Sequence, residues 1–128
     1  MRIDHIALYC RDLENMRQFF EHYFDARSGQ KYYNQKTGFS SYFLSFNEGS
    51  TRLEIMSRPD VTTPSHPMSL GWSHVSLAVG NRRQVNTLTR LLASDGYQTL
   101  SGPRTTGDGY YESCILGPEN LKIELTEG

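Results

Sequence analysis

The stretch IDHIALYC, residues 3–10, decides the fold, because the chain repeats its outline as WSHVSLAV, residues 72–79. His5 aligns with His74, and aliphatic residues align with aliphatic residues, at an offset of about 70 residues that indicates an internal repeat. Glu54 in RLEIM matches Glu124 in KIELT at nearly the same offset. Two independent anchors at one offset predict that the chain contains the same structural unit twice.

Each copy predicts the same order of elements: a strand, a helix and three further strands. Asp12 and Asn81 are suited to cap the two helices at their N-termini, and Gly96 is suited to end the second. Apolar residues at helical spacing follow each cap. The later strands are predicted at residues 30–35, 39–46 and 51–56 in the first copy and 97–101, 110–116 and 121–126 in the second.

One such copy would leave a sheet face bare, so two copies are needed to complete a core. We therefore predict an α+β fold of two tandem βαβββ modules, forming a curved mixed sheet with the helices on its convex side. The modules are residues 1–57 and 72–128, joined by a proline-containing linker at 58–71, and together they form one domain, 1–128. Turns before each last strand are predicted at NEGS, 47–50, and GPEN, 117–120.

Composition limits the classes of partner. The 128 residues include 13 basic and 14 acidic side chains, and a net charge of −1 gives no basis for binding nucleic acid or an anionic membrane. No window approaches the roughly 20 apolar residues of a membrane span, and no signal peptide is recognisable. Cys10 and Cys114 lie outside any CxxC pair and are expected to be unbridged thiols. We expect a cytoplasmic protein whose partner is a small molecule.

Strand alternation places four ionisable residues on the face opposite the aliphatic residues: His5, Glu54, His74 and Glu124. A single strand His is more often a hydrogen-bonded core residue, and a single Glu more often faces solvent. If a pseudo-twofold axis relates the modules, however, the two imidazoles and two carboxylates converge. That set suits a divalent ion such as zinc, nickel, iron, cobalt or manganese. His22 and His66 have no repeat partners and are expected at the surface.

The segments DHIAL, RLEIM, SHVSLAV and KIELTE resemble the ligand strands of short bacterial-type glyoxalase I, in the vicinal oxygen chelate superfamily of glyoxalase, bleomycin-resistance and dioxygenase proteins. The resemblance covers essentially the whole chain. It implies that His5, Glu54, His74 and Glu124 bind one divalent ion, Ni, Zn or Co, with two waters completing an octahedron. It also implies a homodimer with metal sites at the interface.

The same resemblance implies a lactoylglutathione lyase-like reaction, which detoxifies methylglyoxal. A thiohemiacetal of a 2-oxoaldehyde and a thiol would be isomerised through an enediolate that the metal stabilises. Glu124 would be the catalytic base, with Glu54 acting from the opposite face. In glutathione-dependent members, an Arg four positions after the first ligand His and an Asn four after the first ligand Glu help to hold glutathione. Here those positions are Tyr9 and Arg58, so they do not support glutathione as the thiol, and the alternatives are another thiol or a non-thiol substrate.

Tyr9, Arg58, Arg104 and Tyr110 are our candidates for substrate binding, and Tyr32, Tyr33, Tyr42 and Tyr111 could also line a pocket. The run TTGDGYYES, 105–113, is either a lid or a hairpin loop. Alternatives to the lyase are a bleomycin-resistance-like module that binds a small molecule without a metal, an epimerase and an extradiol dioxygenase. A dioxygenase needs a site of two His and one carboxylate with open positions, and the second carboxylate argues against it.

Overall fold

The structure, a computed structural model, describes residues 1–66 and 68–128. Pro67, which falls in the predicted linker, lies outside the described residues. The chain divides into two compact units, Met1–Pro64 and Ser65–Gly128. Each unit is described by itself below.

The first unit contains one helix and a sheet. Its strands are arranged in the order β1-β5-β4-β2, with β3 beside β4. Strands β1 and β5 run parallel, and the other pairs are antiparallel. The elements are β1 (His5–Tyr9), α1 (Leu13–Phe24), β2 (Arg27–Ser28), β3 (Tyr32–Tyr33), β4 (Ser40–Ser45) and β5 (Arg52–Ser57).

The predicted strand at 30–35 is only partly correct, because β3 covers just Tyr32–Tyr33 of that range, and β2, at Arg27–Ser28, was not predicted. Between them the Gly29 N–H donates to the Phe43 carbonyl. Beyond β3, the Asn34 side chain accepts from the Lys36 N–H at 2.9 Å, and its carbonyl accepts from the Gly38 N–H at 2.8 Å. This Asn-centred turn satisfies the backbone locally and ends the strand early.

The second unit repeats this plan. Its strands are arranged in the order β6-β9-β8-β7, with β6 and β9 parallel and the other pairs antiparallel. In both units the first strand therefore pairs with the last, and the predicted α+β class is confirmed. The predicted order of one strand, one helix and three strands is met in the second unit, whereas the first unit has four strands after its helix. The elements are β6 (Val75–Gly80), α2 (Arg82–Ser94), β7 (Thr99–Thr105), β8 (Tyr111–Leu116), a short 3-10 turn at Pro118–Asn120 and β9 (Lys122–Glu127).

The strand boundaries in the second unit differ from the prediction most at β6 and β7. Strand β6 begins at Val75, so His74 immediately precedes it, and β7 continues to Thr105 instead of ending at residue 101. Register shifts between Thr99 and Arg104 interrupt the pairing of β7 with β8, which hides the alternation that would have predicted the longer strand.

Both predicted helix caps are confirmed. The Asn15 N–H donates to the Asp12 carboxylate at 2.9 Å, and Asn81 forms a capping box with Gln84. Gly96 follows α2 with a φ of 97°, a left-handed conformation that glycine adopts without steric cost. Neither described helix, of 12 and 13 residues, has the length and apolar character needed to cross a membrane.

Each helix packs on one face of its own sheet. In the first unit, the Tyr42 hydroxyl donates to Glu14 of α1, and Tyr42 stands opposite Ile55 in the ladder. In the second unit, Ser113 bonds to Thr89 of α2 and stands opposite Leu125. The aliphatic residues of both last strands therefore face the helices: Leu53, Ile55, Ile123 and Leu125 are buried. The residues between them face the other way.

The adjacent residues Leu92 and Leu91 provide a matched test of this packing. Leu92 is 0% exposed, whereas Leu91 is 45% exposed. Leu92→Ala should lower the free energy of unfolding by about 2–5 kcal/mol because it leaves a cavity. Leu91→Ala should change it by less than about 1 kcal/mol. Urea unfolding followed by circular dichroism measures both, and equal losses would contradict the assigned helix face.

Candidate metal centre

The four predicted ligands lie two in each unit, as one His–Glu pair per sheet. In the first unit, His5 begins β1 and Glu54 lies in the neighbouring strand β5, with His5 Nε2 3.7 Å from Glu54 Oε2. In the second, His74 precedes β6 and Glu124 lies in β9, with His74 Nε2 3.2 Å from Glu124 Oε2. Both pairs are on the sheet face opposite the helix, as strand alternation predicted.

The carboxylates of both pairs are more enclosed than the imidazoles. The Glu54 and Glu124 side chains are 15% and 20% exposed, against 40% and 39% for His5 and His74. Within residues 1–66 and 68–128, the ion pair with its histidine is the sole side-chain hydrogen bond or ion pair of each carboxylate. A carboxylate that loses most of its hydration and gains only one polar contact destabilises the folded protein unless a cation neutralises its charge.

Asp4 fixes the orientation of His5, and the sequence analysis did not single it out. His5 Nδ1 lies 3.0 Å from Asp4 Oδ2, and the Arg52 guanidinium lies 2.6 Å from the same oxygen. The hydrogen bond from His5, and then that from Arg52, lowers the pKa of Asp4 to about 2. An ionised carboxylate only accepts hydrogen bonds, so Nδ1 carries the proton, and a neutral His5 ring presents the Nε2 lone pair to Glu54.

The spacing of each pair fits a shared metal ion. Two donors each about 2.1 Å from one ion lie about 3.0 Å apart in octahedral and about 3.4 Å apart in tetrahedral geometry. The observed separations of 3.2 and 3.7 Å are close to these values. Across the described residues, no three His, Cys, Asp or Glu side chains form a group that could hold a metal. Each pair alone is thus an incomplete ligand set.

A cavity of about 450 Å³ adjoins the pair of the second unit. Tyr110, a predicted substrate residue, is in its wall, together with Asp108 and Glu112, which the sequence analysis missed. Alternation along β8 and β9 could have indicated Glu112, which stands opposite Thr126 in the ladder. The full lining is His74, Ser76, Asp108, Tyr110, Glu112, Glu124 and Thr126.

The run at 105–113 forms the β7–β8 hairpin, which explains how Asp108 and Tyr110 reach the cavity. The Thr106 hydroxyl accepts from the Tyr110 N–H at 3.0 Å and donates to Asp108, so this turn has its own hydrogen bonds. Two other tyrosines proposed for a pocket are placed elsewhere. Tyr42 donates to Glu14 of α1, and Tyr111 donates to Asn86 of α2, so both hydroxyls face helices.

The described lining of this cavity does not include the remaining predicted substrate residues. Tyr9 is exposed at the end of β1, on the same face as His5. Arg104 in β7 stands opposite Glu112 in the ladder. Arg58, directly after β5, is ion-paired with Asp60, at 2.6 Å between Nε and Oδ1.

The family of the chain is decided by a match to a family model. The model of the Glyoxalase/Bleomycin resistance protein/Dioxygenase superfamily matches residues 2–125. The chain belongs to this superfamily. Its members generally bind a divalent metal ion and a small-molecule substrate, are often enzymes and are often dimers.

Similar proteins match along nearly the whole chain. The Bacillus subtilis proteins YqjT and YwkD, both described as uncharacterized, are 27% and 29% identical, covering 94% and 98% of this chain and 94% and 95% of their own. The fold is similar to that of the trypanothione-dependent glyoxalase I of Leishmania major, at a TM-score of 0.80 and 19% identity over 99% of this chain and 86% of that one. A lactoylglutathione lyase from Agrobacterium tumefaciens aligns at a TM-score of 0.71 and 18% identity, over 99% and 93%.

Cys114 provides a way to detect the charge of Glu124. It stands opposite Glu124 in the ladder, is unbridged and half-buried, and its pKa is raised by burial and then by the Glu124 charge. Glu124→Gln removes that charge, so the pKa should fall and more thiolate should be present at pH 8. Alkylation of Cys114 by iodoacetamide should then be faster, as measured by peptide mass spectrometry.

Glu112→Gln is the matched control, because Glu112 also raises the pKa of Cys114 but by less than Glu124 does. An acceleration in Glu112→Gln as large as that in Glu124→Gln would contradict the assigned position of the Glu124 carboxylate beside Cys114.

Proposed function

We propose that the protein is a metal-dependent lyase of the glyoxalase I type, which isomerises the thiohemiacetal of a 2-oxoaldehyde such as methylglyoxal. The observation that carries the proposal is the His–Glu pair in each unit, with donor atoms 3.7 and 3.2 Å apart on the face opposite the helix. Superfamily membership and the glyoxalase I fold support it. In this proposal the chain is a cytoplasmic homodimer, and the two units form one domain.

The proposed metal ligands are His5, Glu54, His74 and Glu124, so that the two incomplete pairs act on one ion. Two imidazole nitrogens and two carboxylate oxygens suit nickel, zinc or cobalt. Each unit supplies an equivalent His–Glu pair. One ion can therefore be held by the two pairs of one chain or by one pair from each of two chains. When bound, the ion supplies Lewis-acid stabilisation of the negative charge that develops on the substrate oxygens.

Proton transfer is assigned to the glutamates. In this proposal, Glu124 takes the proton from the carbon that bears the thiol and returns it to the neighbouring carbon, and Glu54 would act from the opposite side. A base for this step must be partly shielded from water and close to the reacting carbon. Glu124, 20% exposed in the wall of the cavity, meets the first requirement. His74 Nε2, 3.2 Å away, orients its carboxylate.

The charge of the cavity lining favours some thiol co-substrates over others. Asp108, Glu112 and Glu124 contribute carboxylates to its lining, and among the described residues that line it there is no Lys or Arg. Tyr110 is assigned to contact the substrate there, and Tyr9, Arg58 and Arg104 are assigned to substrate contacts outside it. An acidic wall repels an anionic peptide thiol such as glutathione and favours a neutral or cationic thiol.

The first test is metal content. After reconstitution with nickel, cobalt or zinc, elemental mass spectrometry should find about one divalent ion per chain in the wild type. Glu124→Gln should weaken binding by more than about tenfold, since a ligand is lost. Glu112→Gln removes the same charge from the same cavity without removing a ligand and should keep the metal. A wild type that binds none of these ions would contradict the enzyme and favour a metal-free binding module.

Turnover tests the reaction separately. With methylglyoxal and a thiol, Glu124→Gln should lose about 10²–10⁴-fold in kcat, because proton transfer no longer has its base. The wild type should act faster with cysteamine, a cationic thiol, than with glutathione. Faster turnover with glutathione would contradict the assignment of the acidic wall to the substrate. No turnover with any thiol, in metal-loaded protein, would contradict the lyase.

A further inference from the structure

We propose that Asp4 is a positioning residue that makes the His5–Glu54 pair the stronger half of the metal centre. The inference rests on the proposed function. It concerns a residue that does not contact the metal, and it makes the two halves of the repeat unequal.

The argument begins with the proton on the His5 ring. Asp4 Oδ2 lies 3.0 Å from His5 Nδ1, and a carboxylate offers only lone pairs to that nitrogen. The ring must therefore donate from Nδ1, which leaves Nε2 as the free donor atom for a metal. Nε2 lies 3.7 Å from Glu54 Oε2, so two electron-rich atoms face each other, and a cation between them satisfies both.

Asp4 is itself held in place. The Arg52 guanidinium bonds to Oδ2 at 2.6 Å, and Arg2 contacts Oδ1 at 3.3 Å. The Arg52 N–H also donates to the Asp4 carbonyl at 3.0 Å, so side chain and backbone are both fixed. Arg52 in turn stacks on the Phe43 ring, 4.4 Å from its centroid, and the His5 ring meets the same Phe43 edge-on. Asp4, His5, Arg52 and Phe43 thus form one connected cluster.

Among its described residues, the second unit shows no equivalent cluster. The equivalent neighbour of His74 is Ser73, whose hydroxyl lies 3.2 Å from His74 Nδ1. A hydroxyl both donates and accepts, so it leaves the His74 tautomer open. His74 can then carry its proton on Nε2 and donate it to Glu124 Oε2, 3.2 Å away. A metal at His74 Nε2 then requires that proton to move to Nδ1, whereas a neutral His5 ring already carries its proton on Nδ1.

The test compares Asp4→Ala with Ser73→Ala, its matched control at the equivalent position of the repeat. Isothermal titration calorimetry with Ni²⁺ or Zn²⁺ measures the dissociation constant in each variant. Asp4→Ala should weaken binding about 10- to 100-fold, as is typical for loss of a carboxylate partner of a ligand histidine. Ser73→Ala should give a clearly smaller change. Asp4→Asn keeps an oxygen that accepts from Nδ1 and should recover part of the affinity.

A second measurement does not need the metal. Nitrogen-15 NMR of the histidine rings, at a pH where they are neutral, reports which nitrogen carries the proton. The wild-type His5 ring should carry it on Nδ1, and Asp4→Ala should lose that preference while Ser73→Ala keeps it. Asp4 is half exposed, with 51% of its side chain accessible, so loss of the fold is not expected, and thermal unfolding verifies this.

The outcomes separate this inference from the proposed function. If the wild type binds metal but Asp4→Ala and Ser73→Ala weaken it equally, the positioning role is wrong and the metal centre stands. If the wild type binds no metal, the proposed function fails, and the NMR result still decides whether Asp4 sets the tautomer. A wild-type His5 ring protonated on Nε2 would overturn the inference in either case.

Discussion

The contact between His5 Nε2 and Glu54 Oε2 is the interaction on which this account depends. Asp4 accepts from Nδ1, the other ring nitrogen. Whenever the His5 ring is neutral, its Nε2 lone pair therefore faces the Glu54 carboxylate, and a positive charge between the two atoms relieves their repulsion. The carboxylate is 15% exposed, so water compensates it only in part. A divalent cation between the two atoms removes this repulsion. The same reasoning applies to His74 and Glu124, except that the Ser73 hydroxyl does not determine which His74 nitrogen carries the proton.

The fold produces these pairs by placing the first strand of each unit beside the last. β1 pairs with β5, and β6 pairs with β9, in parallel registers that bring the histidine at the start of one strand near the glutamate of the other. Helices cover the aliphatic face of each sheet, so the ionisable residues have the opposite face. A single alternating pattern thus fixes both the core and the His–Glu pair of each unit, which is why a repeated sequence yields a repeated pair.

Alternation and capping are local properties, and the sequence predicted what they govern: the fold class, both helix starts and the face of Glu54 and Glu124. The early end of β3 could not be predicted, because it depends on hydrogen bonds within the Asn34 turn. The role of Asp4 could not be predicted either. Its contact with Arg52 joins residues 48 positions apart, and the spacing of apolar residues along the sequence does not predict a contact between two such distant side chains.

The most direct test of the account is X-ray absorption spectroscopy of the nickel- or zinc-loaded protein, which reports the atoms around the bound ion. The account predicts a first shell of nitrogen and oxygen at about 2.1 Å, with the outer-shell scattering of two imidazoles and no sulfur. The signal of one imidazole should disappear in His74→Ala. A shell of oxygen alone, or one containing the Cys114 sulfur, would contradict the claim that both His–Glu pairs hold a single metal ion.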